Sequence, residues 1–228
     1  MKNLLKDIKV SVNEKIYLKD PESTELGKRI VEHAILLIDE IGFENFTFKK
    51  LGKKIGSNES SVYRYFENKH KLLVYLTSWY WGWKEYHLVF ATHSITDPEK
   101  RLLKAIEVVT ASVEKDESFS HINEVALNKI IINESSKSFL TKEVDTENRE
   151  GYFLVYKRLV TRIREMITKV NSDYAFPGSL ASTIVDGALH QHFIKDHFTS
   201  ITDCNEKVSP SIYFKDLVIN ILNIKENV

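Results

Sequence analysis

The sequence predicts an all-α protein: a three-helix helix-turn-helix domain joined by a long helix to a larger helical domain. Three observations lead there. Only eight glycines and four prolines interrupt 228 residues, and so few chain breakers favour long helices over many short strands. Apolar residues recur at three- and four-residue spacing through most of the chain. Near its start, three short capped segments follow one another, with a glycine closing the second.

Taken in order, residues 1–20 form an arm whose pattern fits two structures. IKVSVNEKIYL alternates like a strand, yet Leu4, Leu5, Ile8 and Val12 equally line a helix. Asp20-Pro21-Glu22 then reads as a helix start, with a capping carboxylate and a proline in the first turn. Leu26, Ile30, Ala34, Leu37, Ile38 and Ile41 carry that helix to Gly42. Thr47 caps a second helix, with Phe46 and Leu51 as its hydrophobic staple, and Gly56 ends it. Asn58 caps a third helix to about Phe66, and Asn68 a fourth from Lys69 to about Thr92. Helical patterns follow at 98–115 and 120–134, then the polar stretch NESSKSFLTKEVDTENRE. From Tyr152 a stripe of Tyr156, Leu159, Ile163, Met166 and Val170 is unbroken. Pro177-Gly178 marks a break before a helix lined by Ile184, Ala188, Leu189 and Phe193, and a last helix spans 212–224. The expected organisation is an arm at 1–20, a helix-turn-helix domain at 21–75 and a larger helical domain at 76–228.

Composition narrows the setting. At 43% apolar and 28% charged residues the chain is of ordinary globular make-up. Its one cysteine, Cys204, excludes an internal disulfide framework. No apolar run has the length of a secretory signal or a membrane span, so a cytoplasmic location and no membrane partner are expected. The formal net charge is zero, but the segment 45–72 sets Lys49, Lys50, Lys53, Lys54, Arg64, Lys69 and Lys71 against only Glu59 and Glu67. That local excess of positive charge marks the first third of the chain as the part that meets an anionic partner.

A helix-turn-helix makes three demands that this segment meets. Gly52 leaves room where the third helix crosses the second, Gly56 tolerates the positive φ of the turn, and Val62 anchors the third helix inward. Val62 and Phe66 are four apart and share the inner face. Glu59, Ser60, Ser61, Tyr63 and Arg64 then project outward or sideways. Short hydroxyls permit close approach to base edges, Arg64 reaches a guanine or a phosphate, and Tyr63 and Tyr65 donate to phosphate oxygens.

From about Leu26 to Leu73 the chain closely resembles the N-terminal domain of the TetR/AcrR family of bacterial one-component regulators. The words that match are FTFKKLGKKIG and SNESSVYRYFENKHKLL. The resemblance implies a double-stranded DNA operator as partner. It places Thr47 and Lys49 on the backbone, Glu59, Ser60 and Ser61 on the bases, and Tyr63, Tyr65 and Lys69 on phosphates. Two positions depart from the family pattern: Asn58 replaces the usual serine cap, and Glu59 puts an acid where a basic or neutral residue is common. Glu59 either accepts from a cytosine amine or repels phosphate. The resemblance further implies a homodimer on a near-palindromic operator, acting as a repressor released by a small apolar or aromatic effector.

Beside these readings stand plainer ones. Thr47 and Asn58 cap helices whether or not they touch DNA, and Tyr65 fits equally as a tyrosine packed on the first helix. The aromatic group Trp79, Tyr80, Trp81, Trp83 and Tyr86 packs a core, or in part lines an effector cavity in which Trp79, Trp83, Tyr86, His87 and His190 would take part. Tyr156, Leu159, Ile163, Ile184, Ala188 and Leu189 are the expected dimer interface. His190 and His192, two apart, lie on different helix faces and do not make a metal pair. No nucleophile elbow, phosphate loop or zinc-ligand spacing occurs, so neither an enzyme nor a cofactor is expected. The alternative is a helical adaptor, or a DNA-binding protein without small-molecule control.

Overall fold

The structure, a computed structural model, describes residues 10–114 and 121–224, and ten α-helices run through them. They are α1 (Glu25–Asn45), α2 (Phe48–Lys54), α3 (Glu59–Tyr63), α4 (Lys69–Thr92), α5 (Pro98–Thr110), α6 (Glu124–Glu134), α7 (Val144–Arg149), α8 (Leu154–Val170), α9 (Pro177–His197) and α10 (Pro210–Leu222). No strand occurs among the described residues. Of the arm, Leu4, Leu5 and Ile8 lie outside the described residues, as do 115 and 120, two of the expected helix ends. Residues 10–20 form no strand and carry a single 3-10 turn, Glu14–Ile16.

The helix starts follow the capping chemistry, with shifts of a few residues. Asp20 does cap a turn, accepting from the Glu22 amide, but that turn is the short 3-10 segment Pro21–Ser23. Thr24 is extended, and its hydroxyl accepts from the Gly27 amide to start α1 afresh. Two caps in series therefore divide what the sequence pattern read as one helix. Gly42 has φ +74° and interrupts α1 before a final turn that ends at Asn45. Pro177, expected as a break, occupies the first turn of α9, where its missing N–H is not needed. Within the polar stretch, Ser135–Ser138 form a 3-10 turn and α7 follows.

The chain packs as two compact units, Met1–Gly82 with Val113–Leu154, and Trp83–Ser112 with Val155–Val228. In the first, α1 packs on α6 and on the Pro21–Ser23 turn, and α2 packs on α3. Its interior holds Ile30, Val31, Ala34 and Ile35 of α1, with Phe46, Leu51, Val62, Phe66, Leu72 and Trp79. Each buried valine, leucine, isoleucine or phenylalanine among them contributes about 1.5–3 kcal/mol on leaving water. In the second unit α5, α9 and α10 pack against one another around Leu102, Ile106, Ala181, Phe214 and Val218.

The second unit takes most of the expected dimer interface into its own interior. Leu159, Ile163 and Ile184 are wholly buried and Ala188 is 1% exposed, so these four have no surface to offer a second copy. Tyr156 is half-buried and donates to Asp186 Oδ2 at 2.8 Å; Leu189 is half-buried. An amphipathic stripe looks the same in sequence whether it is covered by its own chain or by another.

Candidate nucleic-acid interface

The local chemistry of residues 46–72 builds a short helix on a fixed seat. Thr47 accepts from the Lys50 amide and starts α2. Gly56, at φ +66°, turns the chain, and the Ser57 amide bonds back to the Gly52 carbonyl at 2.8 Å. Asn58 Oδ1 accepts from the Ser61 amide at 3.1 Å to start α3. At the crossing, a Cβ added to Gly52 would stand 2.9 Å from the Asn58 carbonyl carbon and 3.0 Å from the Glu59 nitrogen. Only a glycine lets α2 and α3 approach this closely.

With Val62 and Phe66 buried, the rest of α3 faces out. Glu59, Ser60, Tyr63 and Arg64 are exposed and Ser61 is half-exposed. Asn58 Oδ1 also accepts from the hydroxyls of Ser60 (2.7 Å) and Ser61 (3.0 Å), so one carbonyl holds three donors at the start of the helix. Replacing Asn58 with alanine should therefore lower stability by about 1 kcal/mol, a loss that urea unfolding would measure as a lower midpoint. The Tyr63 ring stands edge-on to Phe48 of α2, centroids 4.9 Å apart, and is 49% exposed. Its outward direction is thereby set by α2.

The cations sort into tied and untied groups. Lys54 pairs with Glu40 at 3.3 Å, and Lys50 Nζ donates to the Asn45 carbonyl at 2.8 Å. Lys69 Nζ donates to the carbonyls of Phe43 (3.1 Å) and Glu44 (3.2 Å), closing the end of α1. Lys71 bonds Tyr152 and Glu147. Burial disfavours its charge, but those two bonds outweigh burial and hold it above the ordinary lysine range. Among the described residues Lys49, Lys53 and Arg64 have no ion-pair partner, and all three are exposed. Sequence reasoning passed over Lys53 as an individual; its place one helical turn after Lys49 was the available signal.

Tyr65 is placed otherwise than a phosphate contact requires. It is 2% exposed, its hydroxyl is hydrogen-bonded to Thr24 Oγ1 at 2.7 Å, and its carbonyl accepts from the Leu18 amide. It fastens the arm and the start of α1 to the end of α3. Of the expected effector residues, Trp83, Tyr86 and His87 lie together, with His87 edge-on to both rings at 4.7 and 5.5 Å. Trp79 belongs to the interior of the first unit. His190 is exposed on α9, whereas His192 is the more buried histidine there. Its Nε2 lies 2.9 Å from the Thr110 carbonyl, and burial pushes its pKa below the usual imidazole range.

A five-residue helix seated on α2, with hydroxyl, phenol and guanidinium groups outward and exposed lysines beside it, defines a helix-turn-helix DNA-binding protein. Residues 30–76 match the family model described as bacterial regulatory proteins, tetR family. Over those residues the chain is similar to the N-terminal DNA-binding domain of the TetR family of transcriptional regulators. Solved structures share its fold. AibR, in complex with isovaleryl coenzyme A and operator DNA, is 18% identical at a TM-score of 0.57, with 85% of this chain and 97% of that chain covered. The TetR family regulator PfmR from Thermus thermophilus is 16% identical at 0.53, covering 87% and 100%. The superantigen PfiT is 16% identical at 0.58, covering 91% and 100%. At these identities the likeness is one of fold. A search of curated protein sequences gave no match.

Proposed function

We propose that the protein is a homodimeric transcriptional repressor, acting in the cytoplasm and without enzymatic activity, that binds a near-palindromic operator and is released by a small apolar or aromatic effector. One observation carries the DNA-binding part. The third helix buries Val62 against its own domain while Ser60, Tyr63 and Arg64 stay exposed beside Lys49 and Lys53, which have no ion-pair partner among the described residues. Residues 21–75 would be the DNA-binding domain and 76–228 the ligand-binding and dimerisation domain. Thr47, Lys49, Lys53, Tyr63 and Arg64 are assigned to the backbone, with Arg64 also in reach of a guanine. Asn58, Glu59, Ser60 and Ser61 stand at the base-reading end, and Lys69 approaches phosphate at the start of α4. Tyr65 is left out of the set. The effector reading draws on Trp83, Tyr86 and His87, and on the ligand held by AibR. For the dimer, the exposed apolar residues Phe198, Ile201, Ile212 and Tyr213 supply the surface.

The test is a gel shift against the DNA flanking the gene across a salt series. Specific binding should fall steeply with added salt, as counterion release requires. Arg64→Ala should weaken it by about 1–3 kcal/mol, roughly 5- to 150-fold, with the unfolding midpoint unchanged. Salt-insensitive binding, or full affinity in the variant, would set the reading aside.

A further inference from the structure

Within the first unit, residues 13–78 are tied to residues 121–152 by a set of polar contacts that the DNA-binding surface does not use. Glu147 of α7 is the centre of one. Its side chain is 5% exposed, and both oxygens face His70 Nε2, at 2.9 and 3.1 Å. Lys71 Nζ reaches the same carboxylate at 3.2 Å and donates to Tyr152 Oη at 2.8 Å. The Tyr152 hydroxyl in turn donates to the Lys15 carbonyl of the arm at 3.0 Å, and its own carbonyl accepts from Ser78 at 3.2 Å. Asn13 donates to the Glu150 carbonyl at 2.9 Å. Two further contacts run the same way. Glu22, which also accepts from Tyr75 Oη at 3.3 Å, meets His121 Nε2 at 2.8 Å. Glu134 accepts at 3.3 Å from the Phe43 amide, just after the break at Gly42.

We propose that Glu147, with Tyr152, is a positioning device for the DNA-binding helices: segment 144–152 grips the arm and the first turns of α4 at once, and moving that segment moves α3. The inference rests on the reading of α2 and α3 as the DNA-binding surface. Its physical basis is that a carboxylate shut away from water is costly to leave without its donors. Partial loosening would leave the Glu147 charge buried without His70 and Lys71. The contact is therefore expected to be held or lost as a whole. His70 and Lys71 follow α3 by only a few residues, and Tyr65, bonded to Leu18 and Thr24, connects α3 to the same arm that Tyr152 holds. Any ligand or partner that shifts residues 144–152 thus acts on α3 from two sides, through α4 and through the arm.

Hydrogen exchange on the full-length protein, read segment by segment, tests this in Glu147→Ala, with Glu147→Gln as a second variant that retains the side-chain volume. Protection in residues 69–75 and 13–18 should fall at least tenfold in both variants, while protection in α5, α9 and α10 is kept. Operator affinity should fall at least tenfold although every proposed DNA contact is intact. Unchanged exchange in 69–75, or an equal loss of protection throughout the chain, would overturn the proposal. If even the unmutated protein shows no operator binding, the exchange result still decides the grip, and the DNA-binding reading fails separately.

Discussion

Gly52→Val is expected to abolish operator binding and to lower stability by about 2–3 kcal/mol. The atoms that a Cβ would meet are the Asn58 carbonyl carbon at 2.9 Å, the Glu59 nitrogen at 3.0 Å and the Asn58 oxygen at 3.2 Å. All belong to backbone and cannot rotate aside. Replacing a helical glycine ordinarily gains stability, by up to about 1 kcal/mol for alanine, so the sign of the measured change separates crowding from propensity. Valine, with its branched Cβ, has less to gain and more to fit. Because Asn58 carries the cap of α3, displacement at this crossing also disturbs the three donors its side chain holds. Urea unfolding and a gel shift together give the test. A valine variant with full stability and full affinity would mean that α3 does not depend on this seat.

Lys84→Met is expected to stabilise the protein at neutral pH by about 1–2 kcal/mol, raising the melting temperature by a few degrees. The ammonium is deeply buried, and burial holds its pKa down to about 8 from an ordinary 10.5. The folded chain therefore binds fewer protons than the unfolded chain between pH 8 and 10.5, and stability rises across that window. Below pH 8 the folded protein carries the charge at a cost on the order of 3 kcal/mol. Against this stand the bonds from Lys84 Nζ to the carbonyls of Val108 (3.2 Å) and Ala111 (3.4 Å), which close the end of α5. Losing those donors gives back about 1–2 kcal/mol, which leaves the net gain stated. The advantage of methionine should shrink as pH rises above about 8 and vanish near about pH 10. A variant less stable than the parent at neutral pH would show that the amine's contacts outweigh its burial.

Much of the DNA-binding region was legible because its determinants are local. Thr47, Asn58 and Asn68 cap the helices that their positions imply, Gly56 takes the positive φ of the turn, and Gly52 lies at the crossing. Such features depend on residues a few positions apart. What the sequence pattern did not reveal depends on residues far apart in the chain. Tyr65 reads equally as a phosphate donor and as a tyrosine packed on the first helix until Thr24 and Leu18 are brought to it from distant positions. The basic count between 45 and 72 is thinned by Glu40 and Glu147, acids that lie outside that window. The stripe of Leu159 and Ile163 has the period of an interface and the period of a core, and only packing tells them apart. His190 and His192 differ in the same way, since burial and not spacing assigns the Thr110 contact to the second.

The length of α3 sets how much of a duplex it can inspect. Five residues make a rod of about 7.5 Å, against a rise of about 3.4 Å for each step of the double helix. If the proposed dimer binds as inferred above, each half of its site is interrogated over roughly two base pairs by this rod. Discrimination among the many chance occurrences of so short a word must come from elsewhere: from the separation between the two halves, and from how readily the intervening DNA bends or narrows. Lengthening the spacer by a single base pair should then hurt recognition more than changing one letter at the edge of either half.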